Sequence, residues 1–181
     1  MPIYALGSFR PEIHPDAYVH PDAVIIGDVR IGAQSSIWPG AVLRADFGRI
    51  VIGERTSIQD GTVVHTTEEW PTVIGDDCVV GHNAHLEGCT VENRCLVGSG
   101  SVVLNRAVVR AGSVVGAKAL VPEGLEVPAN HMALGIPARV KPIDPEVQAR
   151  WMDVAVGMYT DNAKRYRHGL LRIDQEGNLD E

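Results

Sequence analysis

Two imidazoles and a carboxylate lie close together in the segment Gly81–Cys89, which reads GHNAHLEGC. His82, His85 and Glu87 fall within a span of six residues. Imidazole nitrogens and carboxylate oxygens are ligands that zinc takes in catalytic sites, where one position stays open for water. The segment is therefore either part of a metal site or an ordinary polar surface, and the elements that carry it decide between the two.

A six-residue repeat runs through most of the chain. Branched aliphatic residues return at every sixth position, and a small residue follows most of them four positions later. A helix would repeat every 3.6 residues and a half-buried strand every second residue. The observed period predicts short strands that turn three corners per coil, a mainly β, single-stranded parallel β-helix. The aliphatic positions are Ile13, Val19, Ile25, Ile31, Ile37, Leu43, Ile52, Ile58, Val64, Ile74, Val80, Leu86, Val91, Val97, Val103, Val109, Val115 and Val121.

The repeat and the point where it ends divide the chain into four parts. Residues 1–124 are predicted to form the β-helix, with about six coils and a height on the order of 29 Å. Residues 125–144 contain several prolines and are predicted to be a connecting segment. Residues 145–169 carry an N-cap, a proline at the first helical position and an apolar stripe, which predicts a C-terminal α-helix packed on the β-helix. Residues 170–181 are predicted to be a polar tail.

The repeat predicts which side chains are neighbours on successive coils. Residues that share a repeat position three repeats apart stack one above the other, about 4.8 Å apart. Three repeats separate Val64 from Leu86, so His65 and Glu87 are predicted to lie in one outward column. Arg44 falls in the same column one coil earlier. His85 lies beside Glu87 and is expected to face outward as well.

A second outward column is predicted on the adjoining face. Asp60 and His82 share a repeat position there and are expected to be neighbours. His82 cannot easily reach His65 of its own chain from this face. A threefold arrangement of β-helices would bring the His82 of one chain to the His65 of another, so we expect a homotrimer with a zinc-type site between chains.

Several segments together resemble the gamma-class carbonic anhydrase family. They are Trp38–Asp46, Ile58–His65, Val80–His82 and Gly88–Thr90, and the resemblance extends over nearly the whole chain. It implies a left-handed β-helix, a trimer, and a metal held by three histidines from two chains. It also implies reversible hydration of carbon dioxide by a zinc-activated water, with iron or cobalt as other metals. Two of the family's histidines match His65 and His82, but the third position holds Glu87.

The departure at Glu87 leaves the third ligand open. Glu87 is a competent zinc ligand, although its charge should raise the pKa of the bound water. Alternatively His85 turns inward as the third ligand and Glu87 supports it.

Other roles follow from the resemblance alone. It implies that Gln59 orients the bound water, that Asp60 fixes the local geometry and that Glu68 is a proton-shuttling acid. Tyr159 corresponds to an active-site tyrosine of some members. Arg44 and Asp46 correspond to an ion pair at the subunit interface.

Composition limits the partners and leaves two other functions open. The net charge is −7, and the sequence has neither a Lys/Arg run nor an apolar run of membrane-spanning length. We expect a cytoplasmic protein with a small-molecule substrate and with neither nucleic acid nor membrane as partner. One alternative is a hexapeptide-repeat acyltransferase or thioesterase that acts on a coenzyme A thioester. The other is a metal-binding or assembly protein without catalysis.

Overall fold

The computed structural model describes residues 2–179, and these form a parallel β-helix followed by one α-helix. Strands are numbered in chain order, and successive coils stack them into three flat faces. The first face consists of β1 (Ile3–Tyr4), β4 (Val24–Ile31), β6 (Val42–Ile52), β8 (Val63–His65), β11 (His85–Glu87), β14 (Val102–Val103) and β17 (Leu120–Val121).

The second face stacks seven short parallel strands and ends in an antiparallel pair. Its strands are β3 (Tyr18–Val19), β5 (Ser36–Ile37), β7 (Ser57–Ile58), β10 (Val79–Val80), β13 (Leu96–Val97), β16 (Val114–Val115) and β19 (His131–Leu134), with β20 (Arg139–Pro142) antiparallel to β19. The third face consists of the ends of β4 and β6 with β2 (Glu12–Ile13), β9 (Thr72–Ile74), β12 (Thr90–Val91), β15 (Val108–Val109) and β18 (Glu126–Val127).

The repeat positions build the interior. The aliphatic residues from Ile25 to Val121 point inward and are almost completely buried, and small residues fill the corners between the faces. Several corner residues are hydroxylated and bond to the next coil, as Thr62 Oγ1 does to the carbonyl of Gly81 at 2.9 Å. These bonds satisfy carbonyls that the strand ladders leave free at the corners. The predicted fold class is therefore confirmed.

The β-helix is longer than predicted. Each face stacks seven strands, so the structure has about seven coils instead of six, and its height is about 34 Å at the usual strand spacing. The predicted end at residue 124 and the connecting segment 125–144 were wrong, because Val127 and Ala133 continue the six-residue period and are fully buried. Pro122 and Pro128 do not interrupt it, because they follow β17 and β18, the last strands of their faces, where no further coil needs the N–H donor that Leu104 and Arg110 supply one coil earlier.

The C-terminal helix α1 (Pro145–Gly169) begins and ends where the sequence pattern predicts. The Asp144 side chain accepts hydrogen bonds from the backbone N–H groups of Glu146 and Val147 and so caps the first turn. The helix packs on the second face through a buried stripe that consists of Met152, Ala155, Val156 and Ala163. Full burial of a side chain as large as Met152 contributes about 1.5–3 kcal/mol.

The segment after α1 has little regular structure. After α1, Ile173 and Leu179 form an isolated antiparallel bridge on an otherwise exposed segment, and residues 180 and 181 of the predicted tail lie outside the described residues. Within residues 2–179, no helix is long and apolar enough to cross a membrane.

Candidate metal centre

The first predicted column is present. Arg44 pairs in register with His65, and His65 with Glu87, on the neighbouring strands β6, β8 and β11. His65 and Glu87 are in direct contact, with 3.2 Å between Nδ1 and Oε1. The column follows from the strand register alone, because residues at equal repeat positions on adjacent parallel strands point to the same side.

His65 lies between two carboxylates. Its Nδ1 contacts Glu87, and its Nε2 lies 3.0 Å from Oδ1 of Asp46. Only 13% of the His65 side chain is exposed. A neutral imidazole carries one N–H and donates to only one of two carboxylates. Favourable contact of both ring nitrogens with a carboxylate therefore requires either a second proton on the ring or a cation in place of one of the protons.

Each of the two carboxylates beside His65 also contacts a second side chain. The second oxygen of Glu87 lies 3.1 Å from Nε2 of His85, and the second oxygen of Asp46 pairs with Arg44. Burial raises the pKa of Glu87, but hydrogen bonds from His85 and His65 lower it by more, so its pKa lies below the usual value. Burial likewise raises the pKa of Asp46, and hydrogen bonds from His65 and Arg44 outweigh it. Both groups are therefore anionic at neutral pH.

The second predicted column is also present. Nδ1 of His82 lies 2.9 Å from Oδ2 of Asp60, and about half of each side chain is exposed. No hydrogen bond to Nε2 of His82 is formed within residues 2–179. A carboxylate on one imidazole nitrogen fixes the ring and leaves the other nitrogen as a free electron-pair donor, the arrangement that metal-binding histidines adopt.

One chain alone does not complete a metal shell. Among residues 2–179, no group of three or more His, Cys, Asp or Glu side chains could hold a metal ion. However, His65 Nδ1 and Glu87 Oε1 are 3.2 Å apart, and two ligands of a tetrahedral zinc are separated by about 3.4 Å at the usual bond lengths. Two imidazoles and a carboxylate thus suit zinc chemically, provided that His82 comes from a second copy.

The other predicted site residues are spread over the molecule. Gln59 is buried next to Asp60. Glu68 is exposed in the loop after β8, and it forms no hydrogen bond among the described residues. Tyr159 packs edge-on against Trp38 under α1, with 6.5 Å between ring centroids, in a cluster that includes Tyr166. The catalytic roles of these three residues stay predictions.

Two neighbours of His65 were not predicted from the sequence. The resemblance implied a pair of Asp46 with Arg44, and Asp46 also contacts His65. The Phe47 ring stands edge-on to the His65 ring with 6.2 Å between centroids, although 63% of Phe47 is exposed. Both lie where residues 46–49 of β6 stand opposite the single residue Asp28 of β4, so they bulge away from the regular repeat. The sign of this irregularity in the sequence was Phe47 itself, a large residue at a repeat position that usually holds a small one, directly after the Arg44–Asp46 pair.

Comparison with known proteins agrees with this architecture. The family model "Bacterial transferase hexapeptide (six repeats)" matches residues 10–45 and 71–105. The Carnitine operon protein CaiE of Salmonella typhimurium is 39% identical over 170 residues, which cover 94% of this chain and 86% of CaiE.

Two solved structures are similar over almost their full length. One is described as a putative acetyltransferase of Bacillus cereus, with 32% identity, a TM-score of 0.89, and coverage of 91% of this chain and 96% of that chain. The other is a hexapeptide transferase family protein of Anaplasma phagocytophilum, with 36% identity, a TM-score of 0.87, and coverage of 91% and 98%. The chain therefore belongs to the hexapeptide-repeat, left-handed β-helix family that includes CaiE.

Proposed function

We propose that the protein is a gamma-carbonic anhydrase-like metalloprotein that hydrates carbon dioxide reversibly as a homotrimer. His65 and Glu87 of one chain and His82 of the partner subunit would hold the metal. One observation carries this proposal: each of the three donors has its own orienting partner. Asp46 contacts His65, His85 contacts Glu87, and Asp60 contacts His82. Such partners fix tautomers and ring orientations in metal sites.

Three residues of this chain would influence the reaction at the metal. When bound, zinc supplies a water of lowered pKa, and iron or cobalt would occupy the same donors. Glu87 adds a negative charge to the ligand set and so tempers this effect. Gln59 lies next to Asp60 and would orient the water, and the exposed Phe47 ring offers an apolar wall for an uncharged substrate.

Glu87 is proposed as the third ligand, with His85 as its support. The contact of His85 is to the Glu87 oxygen that does not face His65. His85 therefore lies behind the carboxylate as seen from His65. This is the position of a group that orients a ligand.

The assembly and the ligands are tested together. The solution mass should be three times the 19.5 kDa of one chain, with one metal per chain. His65→Ala and His82→Ala should each lose most of the metal, because two remaining protein ligands bind it weakly. His168→Ala, which changes an exposed histidine on α1, should keep it. A metal-loaded monomer, or full metal content in either ligand variant, contradicts the proposal.

A second candidate function is acyl transfer from a coenzyme A thioester. The Asp60–His82 pair favours it, because a carboxylate on Nδ1 leaves the exposed Nε2 free to act as a general base. The two similar solved structures are described as transferases. In this case His82 would take a proton from an acceptor amine or hydroxyl, which attacks the thioester carbonyl and releases the thiol.

The two candidates give opposite results with a chelator. Acyl transfer should survive metal removal and His65→Ala, but should be lost in His82→Ala and Asp60→Asn, as measured by thiol release from acetyl-coenzyme A. Carbon dioxide hydration, by contrast, should be lost after metal removal and in each of the three variants. If neither activity is found, the remaining alternative is a protein without catalysis: a metal-binding protein if metal is bound, and an assembly protein if it is not.

A further inference from the structure

Two adjoining cavities lie between the second half of α1 and the first coils of the β-helix, and neither His65 nor His82 lines them. The first has a volume of about 270 Å³ and is lined by polar groups, among them Thr160, Lys164 and Arg167 on α1 and Gln34 on the β-helix. Thr160, Lys164 and Arg167 are three or four residues apart, so they present their side chains on one side of the helix.

The second cavity is larger and mainly apolar. Its volume is about 540 Å³, and Ile3, Ile13, Val19 and Leu170 contribute to its walls. Tyr18 and Arg167 line both cavities. The two spaces are thus neighbours that differ in chemistry, with a polar compartment on one side and an apolar one on the other.

Tyr18 has an unused hydrogen-bonding group at this point. The residue is only 7% exposed, and its hydroxyl is buried without a hydrogen-bond partner among the described residues. Burial and the neighbouring Tyr166 raise the pKa of Tyr18 to about 12, so the hydroxyl keeps its proton at neutral pH. A buried polar group without a partner costs free energy, and a ligand that pairs it recovers that loss.

The charges of the polar cavity favour an anion. Lys164 and Arg167 contribute two positive charges and Asp16 one negative charge, whereas the chain as a whole has a net charge of −7. Arg167 is held in place, because its Nη2 donates to the backbone carbonyls of Pro15 and Ala17. Within residues 2–179, Lys164 pairs with Asp161 at 3.2 Å in an exposed position, and a ligand carboxylate would take the place of this partner.

We propose that these cavities bind an amphipathic carboxylate. Its head group would lie between Lys164 and Arg167, with the Tyr18 hydroxyl as a further donor, and its apolar chain would lie against Ile13, Val19 and Leu170. The site is independent of the proposed metal centre.

Octanoate is the probe, and binding to the full chain is measured by isothermal titration calorimetry. Octanoate should bind saturably with one site per chain. Octylamine, which has the opposite charge, and acetate, which lacks the chain, should bind at least about tenfold more weakly. Lys164→Gln should weaken octanoate binding by about tenfold through loss of the charged donor. Arg150→Gln, which removes an exposed cation elsewhere on α1, should leave the affinity unchanged.

Tyr18→Phe separates a binding role from a structural one. Without octanoate the variant should be as stable to heat as the wild type, because only an unpaired hydroxyl is removed. Its octanoate affinity should nevertheless fall several-fold. Equal binding of octanoate and octylamine, or unchanged octanoate affinity in Lys164→Gln, would overturn the proposal.

Discussion

Glu87→His is expected to keep the metal and to raise the rate of carbon dioxide hydration near neutral pH by about tenfold or more. A neutral imidazole in place of a carboxylate leaves more positive charge on the metal, and this lowers the pKa of the bound water. The stacked position beside His65 is retained, because residue 87 pairs in register with residue 65. The measurement is metal content by elemental analysis and hydration rate as a function of pH.

His85→Ala is the matched variant. If Glu87 is the ligand, this change removes only the hydrogen bond at 3.1 Å that orients it, and metal affinity should fall by about 10- to 100-fold while excess metal still fills the site. An empty site in His85→Ala, together with no gain in Glu87→His, would identify His85 as the third ligand. If neither change alters metal content or rate, the cluster is a polar surface.

Gly27→Ala should destabilise the protein by more than about 4 kcal/mol. Gly27 has a φ of +82°, and a Cβ atom there would lie 2.0 Å from the backbone carbonyl oxygen of Ala45. This contact is between backbones, so no side chain can rotate away, and β4 and β6 would have to separate. The separation would occur next to Asp46, so the change should also disturb the contact to His65.

Gly124→Ala is the control for the backbone angle. Gly124 has a similar φ of +70°, but a Cβ atom there has nothing within 4 Å. Its cost should therefore be about 1 kcal/mol, from the left-handed conformation alone. Denaturant unfolding at one protein concentration compares the two variants. Equal stability losses would show that the Gly27–Ala45 contact is not what requires glycine.

The strand register could be predicted from the sequence because the repeat is strict. The spacing of Val64 and Leu86 predicts that His65 and Glu87 are neighbours, and the pairing of β8 with β11 confirms it. The Asp60–His82 contact followed in the same way. The last coil was not predicted because Pro122 and Pro128 look like breaks in the sequence, although the end of a face, where no further coil follows, accepts proline.

Features that depend on irregular segments were not predictable. The contact of Asp46 with His65 depends on the bulge at residues 46–49, and a repeat carries no information about the path of an interruption. The cavities around Tyr18 depend on where α1 lies on the second face, which its apolar stripe does not specify.

The most direct test of the proposed metal centre is anomalous diffraction at the zinc edge from crystals of the metal-loaded protein. We predict one peak per chain, located between subunits, within bonding distance of His65 and Glu87 of one chain and of His82 of the partner subunit. A peak bound by residues of one chain only, or no peak at His65 in zinc-saturated crystals, would contradict it.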